Sequence, residues 1–307
     1  MSIFDLFKKE KPAPAQKPEQ EPKALTDGDA AALWAAMKKK TAQPSFELEL
    51  NAERVPAATE TKIGGLPYWN NSLPVPLTPD GKRLALLAQL NMADFPESGL
   101  LPQEGILQFF IAADDSYGIN FDKPTGQNGF RVVYHEKVDP GFSVEAVRGQ
   151  FITPGEVEPY NLPYSREFAV DVKRAVSYMG GEDFRFMNTL KSAVRELGIL
   201  ERPEYISLTD EELEKLLWNA VEFMPVDEVY GSGSRVLGYP YFTQWDIRSV
   251  NRAYEEYDVL LLQLDSEDSG NEWRIMWGDM GIGNFFIRKQ ALLNRDFSDV
   301  IYNWDCC

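Results

Sequence analysis

Two stretches of the chain carry similar residue types in the same order, and both could present aromatic side chains to a ligand. Residues 62–69 run Lys-Ile-Gly-Gly-Leu-Pro-Tyr-Trp, and residues 235–242 run Arg-Val-Leu-Gly-Tyr-Pro-Tyr-Phe. In each stretch a glycine relaxes steric limits and the proline fixes φ, so the pattern predicts a bend that presents aromatic rings. Aromatic walls beside a few amides and carboxylates suit sugars, peptides or flat rings, and they also suit an ordinary hydrophobic core.

Two glutamines belong to the same repeated pattern. Gln89 and Gln263 each stand in the middle of an apolar run, so each is expected to be buried. A buried amide without a partner costs about 1–3 kcal/mol, so each must bond to neighbouring backbone or to a ligand. Because one ligand site would not need both copies, a structural role is favoured for the pair.

We therefore expect ligand-binding candidates in a cleft between two halves of the molecule. The candidates are aromatic, amide and acidic side chains in the repeated runs, in the residues directly after the second run, and in the glycine-rich stretch near residue 278. Asp246 and Asp279 could also act as a general acid and base if the fold brings them together. The ten candidates are Tyr68, Trp69, Gln89, Tyr241, Gln244, Trp245, Asp246, Gln263, Trp277 and Asp279.

Familiar catalytic and metal-binding signatures are missing from the sequence. His135 is the only histidine, which excludes a Ser-His-Asp triad, a Cys-His pair and multi-histidine metal sites. The chain has no Gly-x-Ser-x-Gly elbow, Walker phosphate loop or Cys-x-x-Cys pair. The glycine-rich residues 278–283 lead into a strand-like run, so we interpret them as a tight turn or bulge. The sequence predicts no catalytic residue, no metal and no cofactor.

Three functional hypotheses follow, in this order. The first is a non-catalytic module that binds a protein partner. The second is a small-ligand or carbohydrate binder that uses the cleft between the halves, and the third is a hydrolase that works through acidic residues. A net charge of −17 argues against a nucleic-acid partner, because phosphate binding needs clustered Lys and Arg.

Sequence features that would place the protein in or across a membrane are missing. No apolar run approaches the ~20 residues that cross a bilayer, and the amino terminus lacks a secretory signal pattern. The only cysteines, Cys306 and Cys307, are adjacent, where a disulfide would be strained. That usage fits a reducing compartment, so we expect a cytoplasmic protein.

The candidate side chains have to be positioned by a fold that begins after an unstructured segment. Residues 1–24 are rich in proline and largely lack apolar periodicity, so we predict disorder there. Their first few residues are amphipathic and resemble a weak anchor for peripheral contact with a membrane surface or a partner. The apolar side chains of this stretch are Ile3, Phe4, Leu6 and Phe7.

One domain is predicted over residues 25–307, with a first half over about 45–180 and a second half over about 225–307. Alternating apolar and polar residues predict strands in the halves, and helices are predicted before and between them. The first helix begins near Thr26 or Asp27. The second covers about 183–197, with Leu197 on its buried face and Gly198 as its stop. The third opens at Thr209 with capping-box spacing, within a helical connection over about 181–224.

The internal matches extend beyond the two bends and keep one order. Gly65 recurs as Gly238, Gln89 as Gln263 and Phe109 as Phe285, with a nearly constant offset. The period is too long for a solenoid, so we predict duplication of a domain-sized unit. The predicted fold class is α+β and β-dominated, with two antiparallel β-rich halves related by a pseudo-twofold axis. A few helices lie between the halves and at the amino terminus.

Several separated runs, in order, resemble one protein family. They comprise residues 62–68, 86–91, 105–110, 238–244 and 277–281. These runs are similar to the YwqG-like family of uncharacterised bacterial proteins, over about residues 46–307. The resemblance implies a β-rich fold with two related halves. It implies no functional residue, because the family has no established activity.

Overall fold

The structure is a computed structural model that describes residues 24–221, 231–270 and 272–307. The predicted disordered segment lies outside the described residues except for its last residue, and the predicted anchor side chains lie wholly outside them. The end of the predicted helical connection lies outside them as well.

The dominant element of the described chain is a ten-stranded antiparallel sheet. The strands in chain order are β1 (Gln43–Asn51), β2 (Lys62–Ile63), β3 (Ala85–Asn91), β4 (Ile106–Ile111), β5 (Phe130–His135), β6 (Phe168–Ser177), β7 (Arg235–Leu237), β8 (Val259–Asp265), β9 (Glu267–Asp268), β10 (Trp273–Ile275), β11 (Ile282–Ile287) and β12 (Val300–Asp305). Across the large sheet the order is β12-β11-β8-β7-β1-β6-β2-β3-β4-β5, and β9 pairs with β10 alone.

The two edges of the large sheet approach each other. Phe130 of β5 packs against Tyr302 of β12, with ring centroids 5.2 Å apart. The backbone N–H of Tyr302 also donates to the carbonyl of Pro124, at 3.0 Å. The sheet is therefore nearly closed, and it encloses one apolar core that includes Phe109 of β4 and Phe285 of β11.

Strand β1 lies at the centre of this sheet. Its side chains alternate as the sequence predicts, with Phe46 and Leu48 buried in the core and Glu47 and Glu49 exposed. On one side it pairs along its whole length with β6, and on the other side it pairs with β7. The first strand of the domain therefore joins the strands of the predicted first half to those of the second.

Four helices occur in the described ranges, α1 (Asp27–Thr41), α2 (Phe186–Glu196), α3 (Asp210–Val221) and α4 (Lys289–Leu293). The side chains of α1, α2 and α3 form an apolar cluster separate from the sheet core. None of the described helices is long and apolar enough to span a membrane.

The first three helices have capping residues at their ends, two of them as predicted from the sequence. The Thr26 side chain accepts from the backbone of Asp29 at the start of α1, and Gly198 adopts a left-handed conformation after α2. Thr209 and Glu212 make reciprocal side-chain to backbone bonds at the start of α3, which is the predicted capping box. The buried position predicted for Leu197 is wrong. Leu197 is 40% exposed because it follows the last helical residue, where the chain turns away from the packed face.

Candidate functional site

Gln89 of β3 is fully buried, and its amide is bonded on both ends. Its Oε1 accepts from the backbone N–H of Tyr68 and from Nε2 of Gln108, each at 2.8 Å. Its Nε2 donates to the carbonyls of Ala58 and Glu60, both at 2.9 Å. The side chain thus holds the first bend and the segment that leads into β2.

Gln263 of β8 makes the same kinds of bond in the second half. Its Oε1 accepts from the backbone N–H of Tyr241 at 2.8 Å, and its Nε2 donates to the carbonyls of Gly231 and Gly233. Each glutamine therefore fastens a bend to the strand that carries it. Apart from the bond between Gln89 and Gln108, the partners of both amides are backbone groups, which fits the structural role favoured from the sequence.

His135 of β5 extends the hydrogen-bond chain of Gln89. Because Nε2 of Gln108 donates to the carbonyl of Tyr68 and to Gln89, its Oε1 is left as the acceptor for Nε2 of His135, at 2.9 Å. The ring therefore carries its proton on Nε2, and buried Nδ1 has no partner among the described residues. Burial lowers the pKa of His135 to about 4, so the imidazole is neutral at pH 7.

The rings of Tyr68 and Trp69 are almost entirely buried in an aromatic cluster with His135. The Tyr68 hydroxyl accepts from the backbone of Asp139, and Nε1 of Trp69 donates to the carbonyl of Leu73. A cavity of about 530 Å³ lies beside them and is lined only by residues 68–71, 137–139, 141–143 and 146. This cavity belongs to the first half alone.

The candidates of the second bend lie on the other side of β1 and β6 in the sheet. Tyr241 is fixed by Gln263, and Gln244 donates its amide to the carbonyl of Cys306 at 2.6 Å. Trp245 is 58% exposed. Asp246 is buried and bonds bidentately to Arg248 and to the backbone before α2, so both of its oxygens have partners.

The two remaining candidates sit in and before a tight turn. Trp277 is fully buried against the rings of Tyr117 and Trp304, and Asp279 is exposed. Gly278 and Met280 have φ of 54° and 58°, which is the left-handed geometry of a tight turn. The ten candidates therefore fall into two groups, one on each side of β1 and β6.

A pair of carboxyl groups lies near Tyr241. Burial raises the pKa of Glu182, and the charges of Asp305 and Asp246 raise it further. Burial also raises the pKa of Asp305, against the effect of backbone N–H donors such as that of Gln244. A raised carboxyl pKa is one feature of a general acid, but the causes of the Asp305 shift do not include Glu182. In the described chain we find no group of three His, Cys, Asp or Glu side chains arranged to hold a metal.

A groove between residues of the predicted first and second halves combines two adjoining cavities, and we call it the junction groove. The apolar cavity, of about 410 Å³, is walled mainly by Pro154, Val157, Leu162, Trp273 and Met276, with Glu158 and Arg274 as its charged members. The basic cavity, of about 500 Å³, contains Lys62, Leu66, Arg148, Arg166 and Glu167. Pro154 and Ser165 line both cavities, so the two adjoin.

Contacts between the halves fix the shape of the junction groove. Tyr164 forms a β-bridge with Ile275, and the backbone N–H of Met276 donates to the carbonyl of Pro163 at 2.7 Å. The hydroxyl of Tyr164 donates to the carbonyl of Leu86, so the ring is anchored in the core. Gly64 lets that ring approach, because a Cβ there would lie 2.6 Å from it.

Lys62 brings a buried amine to the basic cavity. It is 2% exposed, and its Nζ donates to the carbonyl of Leu66 at 2.5 Å. Burial lowers the pKa of Lys62 to about 8, although the charges of Glu167 and Glu60 act in the opposite direction. The amine is therefore largely protonated at pH 7 and close to titration.

Sequence reasoning missed the junction groove, and none of the ten candidates lines it. Lys62 opens the first repeated run, but the pattern alone does not show that residues between 144 and 167 line a cavity with it. Pro154, Pro159 and Pro163 could have indicated one wall of the groove, because closely spaced prolines restrict the backbone of an ordered segment.

Comparison with known proteins identifies a family without assigning a role to the site. None of the curated proteins compared matches the chain. Residues 61–306 match the model of a family described as "Domain of unknown function (DUF1963)", which therefore covers both bends and all of the junction groove except Val55 and Pro56. Because that match spans most of the chain, the chain belongs to the DUF1963 family.

Proposed function

We propose that the protein is a non-catalytic binding module, and that a small ligand occupies the junction groove. The observation that carries the proposal is the adjoining pair of cavities, one apolar and one basic, at the contact between the halves. Their volumes lie in the range that small-molecule sites occupy. The proposed site thus differs from the cleft predicted from the ten sequence candidates.

The walls of the groove support binding by a preformed site. Pro154, Pro159 and Pro163 restrict the backbone of one wall, and the bridge between Tyr164 and Ile275 fixes that wall to the second half. A wall that is already ordered loses little conformational entropy when a ligand binds. The groove is therefore suited to selective binding with a small loss of conformational entropy.

Thermal-shift screening of the full chain tests the proposal, with a library of organic acids, amides, sugars, nucleotides and amino acids. Ser165→Trp introduces an indole at the exposed wall residue shared by both cavities, and Ser207→Trp makes the same change at an exposed serine outside the groove. A ligand at 100 times its Kd should add about 2.7 kcal/mol of stability.

We expect at least one compound to stabilise the native chain and Ser207→Trp but not Ser165→Trp. The proposal is wrong if no compound stabilises the protein, or if every stabilising compound acts equally on all three chains.

A protein partner is the second candidate, and the exposure of Trp245 favours it. Large aromatic side chains exposed to solvent are enriched at protein interfaces. A photo-crosslinking residue at position 245, expressed in the native host, should yield one specific adduct that is absent when the residue is placed at exposed Val176. Equal adduct patterns from both positions would exclude this role for Trp245. The free Cys306 and Cys307 support a reducing, cytoplasmic location for either function.

We also propose that the halves arose by duplication, as in the YwqG-like family that the repeated runs resemble. The strand series β6-β2-β3-β4-β5 and β1-β7-β8-β11-β12 run outward from the sheet centre, and each contains one glutamine-fastened bend. Asn91 N–H donates to Thr61 in one half as Asp265 N–H donates to Ser234 in the other. An experimental structure in which superposed halves leave Gln89 far from Gln263 would contradict a common origin.

A further inference from the structure

We infer that the basic cavity recognises a carboxylate group through Lys62. The ligand is then a small organic acid whose apolar body lies in the adjoining apolar cavity. This inference rests on the proposed function, because it names the ligand class of the same groove.

The unused hydrogen-bonding capacity of Lys62 points to such a ligand. An ammonium group has three N–H donors, and the contacts of the described residues give Nζ one acceptor, the carbonyl of Leu66. Neither Glu167 nor Glu60 makes a hydrogen bond to it, although both act on it through their charges. A buried cation is costly unless it is paired, and a carboxylate offers two oxygens for the two remaining donors.

The charges around Lys62 favour an anion over a neutral ligand. The charged side chains of the basic cavity are Lys62, Arg148 and Arg166 against Glu167 alone, in a chain whose net charge is −17. Arg148 pairs with Glu145 and Arg166 with Glu272, and both pairs are exposed. Exposed ion pairs contribute little stability, so either arginine can turn toward a bound anion at low cost.

The same charges favour a carboxylate over a phosphate. A phosphate monoester brings close to two negative charges at neutral pH and three acceptor oxygens. Lys62 is the one buried cation among the residues of the basic cavity, and Glu167 opposes a second charge. A single carboxylate therefore fits the charge and the donor count better.

The apolar cavity determines the rest of the ligand. It meets the basic cavity at Pro154 and Ser165, so a molecule bound at Lys62 can extend directly into it. Trp273 is 46% exposed there and Met276 is partly exposed, so an apolar body would remove both from water. A ring or a short hydrocarbon chain suits a space of about 410 Å³.

Acid and amide pairs test the carboxylate directly. The probes are phenyl-substituted alkanoic acids with one to four methylene groups and the corresponding primary amides, titrated calorimetrically into the full chain at pH 7. We expect at least one acid to bind at least tenfold more tightly than its amide. Lys62→Met should remove this preference and leave the amide unchanged. Lys173→Met, at an exposed lysine paired with Glu49, should keep it.

The pH dependence supplies a second readout that does not need the methionine variant. Since the pKa of Lys62 is about 8 and Glu60, Glu167, Arg148 and Arg166 are the charged groups around it, acid binding should weaken between pH 7 and pH 9.5. Amide binding should not change over that interval. Lys62→Arg should keep the preference for acid and lose the pH dependence, and the arginine at the matching position of the second half, Arg235, indicates that the strand accommodates it.

The outcomes separate this inference from the proposed function. If compounds bind in a manner that Ser165→Trp blocks, but acids and amides bind equally, the inference is overturned and the groove remains a binding site. Tenfold tighter binding of phenyl phosphate than of every acid also overturns it, in favour of phosphate. If no acid or amide binding is blocked by Ser165→Trp and the wider library also fails, both proposals are wrong.

Discussion

At the scale of single residues, His135 links protonation to folding. The ring is buried, donates from Nε2 to Gln108 and is neutral in the folded protein at pH 7. The folded pKa of about 4 lies below the ordinary value of 6.5, so the unfolded chain binds the proton first as the pH falls. The contribution to stability is therefore complete above about pH 6.5 and is lost as the pH falls through 4.

We predict that His135→Gln removes this part of the pH dependence. Between pH 7 and pH 4 the native chain should lose about 3 kcal/mol more unfolding free energy than the variant, measured by denaturant titration. Because the chain has one histidine, its ring resonances report the pKa and the Nε2–H tautomer directly. Parallel stability profiles for the two chains would contradict the prediction.

Residue chemistry was predictable where it depends on neighbours in sequence. The buried amides of Gln89 and Gln263 had to find partners, and they found backbone, as favoured. The burial of the Lys62 amine was not predictable, because its strand β2 lies between β3 and β6, and β6 comes from far along the chain. The need of a polar side chain for partners can thus be predicted from its sequence neighbours, whereas the burial of Lys62 depends on strands that are distant in sequence.

At the scale of elements, the second bend depends on close contact at Gly238. This residue has φ of 81°, and a Cβ would lie 2.7 Å from the Cβ of Ser177 and 3.0 Å from that of Ser45. Gly233 has φ of 90° but open space around it. The two glycines therefore separate the cost of backbone conformation from the cost of crowding.

We predict that Gly233→Ala costs about 1 kcal/mol of unfolding free energy and that Gly238→Ala costs about 2–4 kcal/mol. The difference measures how tightly the bend is packed between β1 and β6. Denaturant titration of both variants provides the measurement, and equal costs would show that the strands yield to the new methyl group.

Elements with strong local signals were predicted well. The start of α1 near Thr26, the capping box at Thr209 and the stop at Gly198 depend on hydrogen bonds within a few residues, and the structure has all three. The burial of Leu197 was predicted wrongly because helical periodicity does not show where the helix ends. The order of the strands could not be predicted, since it is set by pairings between distant segments.

At the scale of the whole molecule, Arg248 connects the second half to the segment before α2. It is fully buried, bonds to Asp246 and Asp183, and lies 4.4 Å from the ring centroid of Phe286. Removing Arg248 leaves buried Asp246 as an uncompensated charge, whereas Asp183 keeps its pair with Arg185. The cluster therefore ties the segment before α2 to the strand region around Phe286.

We predict that Arg248→Met costs about 3–5 kcal/mol of unfolding free energy, little changed by salt. Lys173→Met, which breaks the exposed pair with Glu49, should change the unfolding free energy little and should lose even that effect at high salt. Denaturant titrations at low and high salt give both values. Similar costs for the two variants would mean that water reaches Arg248.

The central position of β1 has a consequence for how quickly the molecule can assemble. Gln43 pairs with Ser177 and Ser45 with Leu237, so β1 acquires its partners only after long loops close, which lowers the folding rate. The β3–β4 hairpin, by contrast, forms after closure of a shorter loop. Until both neighbours arrive, Phe46, Leu48 and Leu50 stay on an unpaired edge that can associate with other chains. We therefore expect slow refolding whose yield falls as protein concentration rises.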